Sequence, residues 1–171
     1  IFVDQASRLG FTYLQKTSSA EETLEAKEAF EAYAKTFGVS VKAYHADNGI
    51  FRANKWIDNC RKSGQPLTYA GVNSYHENGI AVRRIKEIQE GARTMLIHAN
   101  WRWKTSVNAH LWPYAVKMAN DQVNNVPNMQ RADKKTPMQV FSSSDIHINI
   151  KHWHHFGSPV YVLEEALQSN K

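Results

Sequence analysis

Residues Gly79 to about His98 constrain this chain more than any other stretch. Ala81, Ile85, Ile88, Ala92 and Met95 recur at i, i+4, i+7, i+11 and i+14, the spacing of a helix with one apolar stripe. Arg83, Arg84, Lys86 and Glu87 lie mostly off that stripe. A helix this long must bury its stripe against another layer, so the chain has to supply one.

The segments before it supply strands and helices in alternation. Ile1–Val3 and Phe11–Thr17 read as strands around the turn-like run Asp4-Gln5-Ala6-Ser7-Arg8. Ser19 is placed to cap a helix, with Glu22 three residues on as the return half of a capping box. Ala26, Phe30, Tyr33 and Phe37 share one face of that helix, and Gly38 is placed to end it. Val39–Tyr44 alternates as a strand. Trp56, Ile57 and Cys60 suggest a short helix closing near Gly64, and Pro66–Ala70 a further strand. After the long helix, Asn108–Asn124 reads as helical, with Leu111, Ala115, Met118 and Val123 in phase and Pro113 starting or kinking it. Pro127, Pro137 and Ser142-Ser143-Ser144 mark a loop-rich tail ending in a strand-like Pro159–Leu163. This order predicts a mixed α/β layer architecture, with residues 1–125 as the core and 126–171 as its loop-rich C-terminal extension.

Composition narrows the partners. The 171 residues fit one domain, and a net charge of +5 favours a polyanion. The single Cys60 excludes an internal disulfide framework and a Cys-rich zinc site. No apolar run approaches the roughly 20 residues that span a bilayer, so no membrane partner is expected. The chain starts at Ile1, inside a strand-like run, and reads as a piece of something longer.

Two segments carry candidate chemistry. His45-Ala46-Asp47-Asn48-Gly49 puts Asp47 at the carboxyl end of a strand, where ligand sites of open α/β sheets lie. A hard divalent cation could be held there by carboxylate oxygen, although Asp-Asn-Gly is also an ordinary turn signal. Asn78-Gly79-Ile80-Ala81-Val82-Arg83-Arg84 opens the long helix, whose Arg83, Arg84 and Lys86 can meet phosphates or simply face water. Trp101-Arg102-Trp103-Lys104 interleaves aromatics with cations, suiting base stacking or an ordinary packed helix end. His152-Trp153-His154-His155 lacks the cysteine partners and the convergent spacing of a structural zinc site. No nucleophile elbow or phosphate-cradling glycine loop is present.

Taken in order, these segments resemble the integrase core of copia-type LTR retrotransposons. The matching residues are Phe2-Val3-Asp4 with Ser7-Arg8, Asp47-Asn48-Gly49, and Asn78-Gly79-Ile80-Ala81 with Arg83-Arg84. They continue through Ala92-Arg93-Thr94-Met95-Leu96, Leu111-Trp112 with Ala115, Lys135-Thr136-Pro137, and Phe156-Gly157-Ser158-Pro159 with Tyr161-Val162. The resemblance implies a ribonuclease H-like mixed sheet flanked by helices. It implies DNA integration by polynucleotidyl transfer, with Mg²⁺ or Mn²⁺ on two Asp and one Glu. It makes Asp47 the second catalytic and metal-binding Asp, and gives Asn48, Asn78, Arg83, Arg84 and Lys86 to nucleic acid. It further implies DNA as partner, self-association, and action in the nucleus or in a cytoplasmic particle before import.

Two departures modify that implication. The family's Glu position holds Val82, which has no oxygen to offer a metal. Glu77 precedes the helix, and Glu87 lies some 140° round it from Val82. The family's first Asp sits on a strand preceding Phe2-Val3-Asp4, so the fold is expected without its first strand. Asp4 matches a turn residue rather than a catalytic one. The expected function is therefore a fragment of an integrase core that binds nucleic acid with an incomplete carboxylate set. The alternatives are an active domain completed by upstream sequence, or a non-catalytic DNA or protein interaction module.

Overall fold

The computed structural model describes residues 1–71, 78–104, 106–129, 132–145 and 150–162. The chain opens with an antiparallel pair, β1 (Phe2–Val3) and β2 (Gly10–Phe11), in which Phe2 faces Phe11 and Val3 faces Gly10. Asp4 builds the turn between them. Its carboxylate accepts from the Ser7 amide at 2.7 Å and the Ser7 hydroxyl at 2.6 Å. Its carbonyl accepts the Arg8 amide at 2.9 Å, with Arg8 in the left-handed region at φ 67°. The strand expected over Phe11–Thr17 stops after Phe11. Instead, the amides of Lys16 and Thr17 donate to the Glu22 carboxylate at 2.7 and 3.2 Å.

That contact helps to start α1 (Ala20–Thr36). The Ser19 hydroxyl accepts the Glu22 amide at 3.2 Å, as a cap should. Glu22 does turn back, but to Lys16 and Thr17 rather than to Ser19, so the box is half formed. Gly38, at φ 72°, reverses the chain after the helix. Ala26 and Phe30 are buried, Tyr33 half-buried and Phe37 exposed.

β3 (Tyr44–Ala46) pairs in parallel with β4 (Leu67–Tyr69), the two joined through α2 (Asn54–Lys62). The strand predicted over Val39–Tyr44 forms only from Tyr44 onward. Before it, the backbone bonds elsewhere: the Val39 amide to the Ala34 carbonyl at 3.0 Å, and the Val41 carbonyl to the Gln65 side chain at 3.1 Å. α2 buries Trp56 and Cys60, and Gly64 follows it at φ 64°.

α3 (Gly79–Arg102) packs along α4 (Trp112–Asn125), whose first turn holds Pro113. Small residues line the seam, where a Cβ on Gly91 would stand 3.3 Å from that of Ala119. The buried stripe of α3 is Arg84, Ile88, Ala92 and Ala99. Ala81 is only half-buried and Ile85 is exposed, so the buried face is rotated from the predicted one at its start. α5 (Pro137–Ser142) stands where the sequence reads as loop. Thr136 and Gln139 close a full capping box on it. Pro159–Val162 takes no regular structure, and Leu163 lies outside the described residues.

Among the described residues the buried side chains form three clusters. Phe30, Tyr44, Trp56 and Cys60 lie between α1, β3 and α2. Ile88, Ala92, Ala115 and Ala119 join α3 to α4. Leu9, Ala34 and Phe141 join the β1–β2 turn, α1 and α5. Among the described residues the mixed sheet is present as two separate strand pairs, one antiparallel and one parallel. No described helix is long and apolar enough to cross a membrane.

Candidate nucleic-acid interface

Asp47 follows β3 directly and is exposed. The Gly49 amide donates to its Oδ1 at 3.1 Å, closing a local turn. Asn48 ties this turn to the end of β4: its Nδ2 donates to the Ala70 carbonyl at 2.8 Å. The buried Asn48 Oδ1 has no hydrogen-bond partner. Asp47 thus sits beyond the carboxyl ends of two parallel strands, where such sheets present ligand sites.

α3 places the other candidates. Asn78 holds the cap position, but its side chain makes no capping bond. Arg83 is exposed, and so is Lys86, whose Nζ lies 3.9 Å from Glu90. Arg84 lies apart from this solvent-facing set. It is 6 % exposed, and its Nη2 donates to the Arg8 carbonyl. Its Nη1 lies 3.8 Å from the Glu87 carboxylate and makes no hydrogen bond. Burial pulls its pKa down from the ordinary arginine value, partly opposed by Glu87.

A cavity of about 900 Å³ opens at the start of α3, lined in part by Arg8, Gly79, Arg83, Arg84 and Glu87. Asp47 is not among its lining residues, so the structure gathers Gly79, Arg83 and Arg84 but leaves Asp47 and Asn48 at the strand ends. Sequence reasoning missed Arg8 as part of this grouping. A signal for the burial of Arg84 does exist, because it falls four residues before Ile88 and eight before Ala92.

Among the described residues no group of three His, Cys, Asp or Glu side chains converges on a metal position. Val82 is 51 % exposed hydrocarbon, Glu87 faces Arg84, and Glu77 lies outside the described residues. A two-metal site needs several oxygen ligands, and the described donors do not fit one.

No family model matches the chain. Solved structures do resemble it. The integrase catalytic core domain of HTLV-2, in complex with magnesium and in a trimeric form, superposes with a TM-score of 0.60 at 18% identity. That match covers 81% of this chain and 80% of the other. The catalytic core domain of BIV integrase gives 0.59 at 15% identity, over 82% of each chain. The simian T-cell lymphotropic virus intasome in complex with PP2A regulatory subunit B56 gamma gives 0.62 at 15%, covering 95% of this chain and 50% of that one. The chain has the fold of retroviral integrase catalytic cores.

Proposed function

We propose that this chain is an integrase-core module of the copia type that binds DNA and lacks a complete catalytic carboxylate set. The observation that carries this reading is Val82. It stands 51 % exposed in the first turn of α3, where the resemblance puts the third carboxylate. An isopropyl group there can take up neither a cation nor a proton. Asp47 remains as the carboxylate that the resemblance assigns within the chain. Arg83 and Lys86 are the phosphate contacts, with Asn78 beside them at the helix start. Asn48 serves by fixing the Asp47 turn against β4. Arg84 serves by holding the start of α3 against the Arg8 turn.

The resemblance names Asp47 as a ligand for Mg²⁺ or Mn²⁺, and a single exposed carboxylate does not make the centre such an ion needs. Self-association fits the exposed Ile97, Trp101, Trp112 and Tyr114. The place of action that this reading implies is the nucleus.

A gel-shift series in rising salt tests the binding. Affinity should fall steeply with salt, and the paired change Arg83→Gln with Lys86→Gln should flatten the log–log slope by about 2. Affinity indifferent to salt would remove the phosphate contacts. A strand-transfer assay with Mg²⁺ or Mn²⁺ tests the rest. The chain should be inactive, and activity in it as it stands would overturn the incomplete-centre reading. Activity gained by Val82→Glu would support it.

A further inference from the structure

The cavity at the start of α3 holds a feature that the DNA-binding reading does not use. Arg84 is 6 % exposed, lines the cavity, and leaves Nη1 without a hydrogen-bond partner. A buried guanidinium donor left unmet is costly, so a group able to meet it binds at an advantage. Two further guanidiniums border the same space, half-buried Arg8 and exposed Arg83. Against these three cations the described lining residues present one carboxylate, Glu87, which gives them a net charge of +2. The side chain of Glu87 is 47 % exposed and only 3.8 Å from Nη1, so an entering anion can displace it outward. The first amides of α3, unserved by the side chain of Asn78, add positive potential at Gly79.

We propose that this cavity binds a phosphate monoester, the 5′-phosphate of a nucleotide or of a DNA end, with Arg84 at its floor and Arg8 and Arg83 at its rim. Charge selects the ligand. A phosphate monoester carries about −1.5 to −2 at neutral pH and matches the lining, whereas a carboxylate or an internal phosphodiester carries a single charge. Size agrees, since about 900 Å³ lies within the range of small-molecule sites. Apolar wall residues such as Ile80, Val123 and Met129 suit a sugar and base. The site is separate from the position discussed for catalysis, because Val82 points about 160° round the helix from Arg84.

Calorimetric titration of the intact chain with dAMP, inorganic phosphate and deoxyadenosine tests the proposal. The two phosphates should bind and deoxyadenosine should not. Arg83→Gln should weaken dAMP binding about tenfold, consistent with loss of a charged hydrogen bond. Arg61→Gln, which removes an exposed cation on α2, should leave it unchanged. Arg84→Met should abolish binding, and should that variant fail to fold, the comparison of Arg83→Gln with Arg61→Gln decides. A hairpin DNA with a 5′-phosphate that outcompetes its 5′-hydroxyl twin for the dAMP site assigns the ligand to DNA ends; equal competition assigns it to free nucleotide. Equal binding of dAMP and deoxyadenosine, no heat from folded protein, or equal losses in Arg83→Gln and Arg61→Gln would overturn the site. Salt-dependent binding of 5′-hydroxyl duplex is a separate readout, so either reading can fail alone.

Discussion

Asn124 does a backbone's job with a side chain. Only 3 % exposed, it accepts the Gly10 amide and donates to the Gly10 carbonyl, both at 2.8 Å, and so pins β2 to α4. Asn124→Ala strands two buried backbone groups and should cost about 2–4 kcal/mol in denaturant unfolding. A Cβ on Gly10 would stand 2.7 Å from Asn120 Oδ1, so any larger residue there forces the buried Asn120 side chain to move. A second polar knot surrounds Glu31, which meets Lys27 at 2.8 Å, Tyr44 at 2.8 Å and Gln65 at 2.8 Å. Burial pushes the Glu31 carboxyl up, but the hydrogen bonds from Lys27, Gln65 and Tyr44 outweigh it and hold the pKa below the usual 4.5. Burial and the same carboxylate push the Tyr44 hydroxyl up, keeping it a donor. Ionised Glu31 therefore stabilises the fold fully above the unfolded-state value and loses that effect as pH falls through its lower folded value. Between pH 6 and pH 3 the wild type should lose more stability than Glu31→Gln, as thermal melts across that range would measure. These residues were hard to find in the sequence. Apolar periodicity cannot register Asn124 as inward-facing, because what makes it buried is a bonding partner far along the chain. Asp47 and its turn were legible, since Asp-Asn-Gly after a strand is a local signal.

Helices were more legible than strands. Ser19, Gly38, Gly64 and Pro113 all punctuate helices where their chemistry requires. α5 was passed over because six residues carry too little periodicity, yet Thr136-Pro137-Met138-Gln139 spells a capping box with proline at the first turn. Thr136→Ala should cost about 1 kcal/mol, lowering the melting midpoint by about 2–4 °C, because Phe141 on α5 closes a cluster with Leu9 and Ala34. The strands came out shorter than their alternation suggests. A strand ends where its ladder partner ends, and Val39–Ala43 and Thr12–Thr17 have side-chain patterns without a backbone to pair with.

At the scale of the molecule, the order of strands and helices was enough to name the architecture, and the solved integrase cores agree with it. How the strands divide was not readable, because pairing is set by which strands meet in space. The α1–β3–α2 cluster and the α3–α4 cluster are tied together by the third cluster and by the Asn124–Gly10 bonds. Native-state hydrogen exchange should accordingly show the slowest amides of α1, α3 and α4 sharing one global value rather than two separate sets.

The chain has one thiol, and Cys60 is shut at 1 % exposure in the cluster with Phe30, Tyr44 and Trp56, with burial pushing its pKa up. The native protein thus carries an internal stopwatch: a maleimide dye can mark it only when the packing around Cys60 opens, so labelling at saturating dye times that opening.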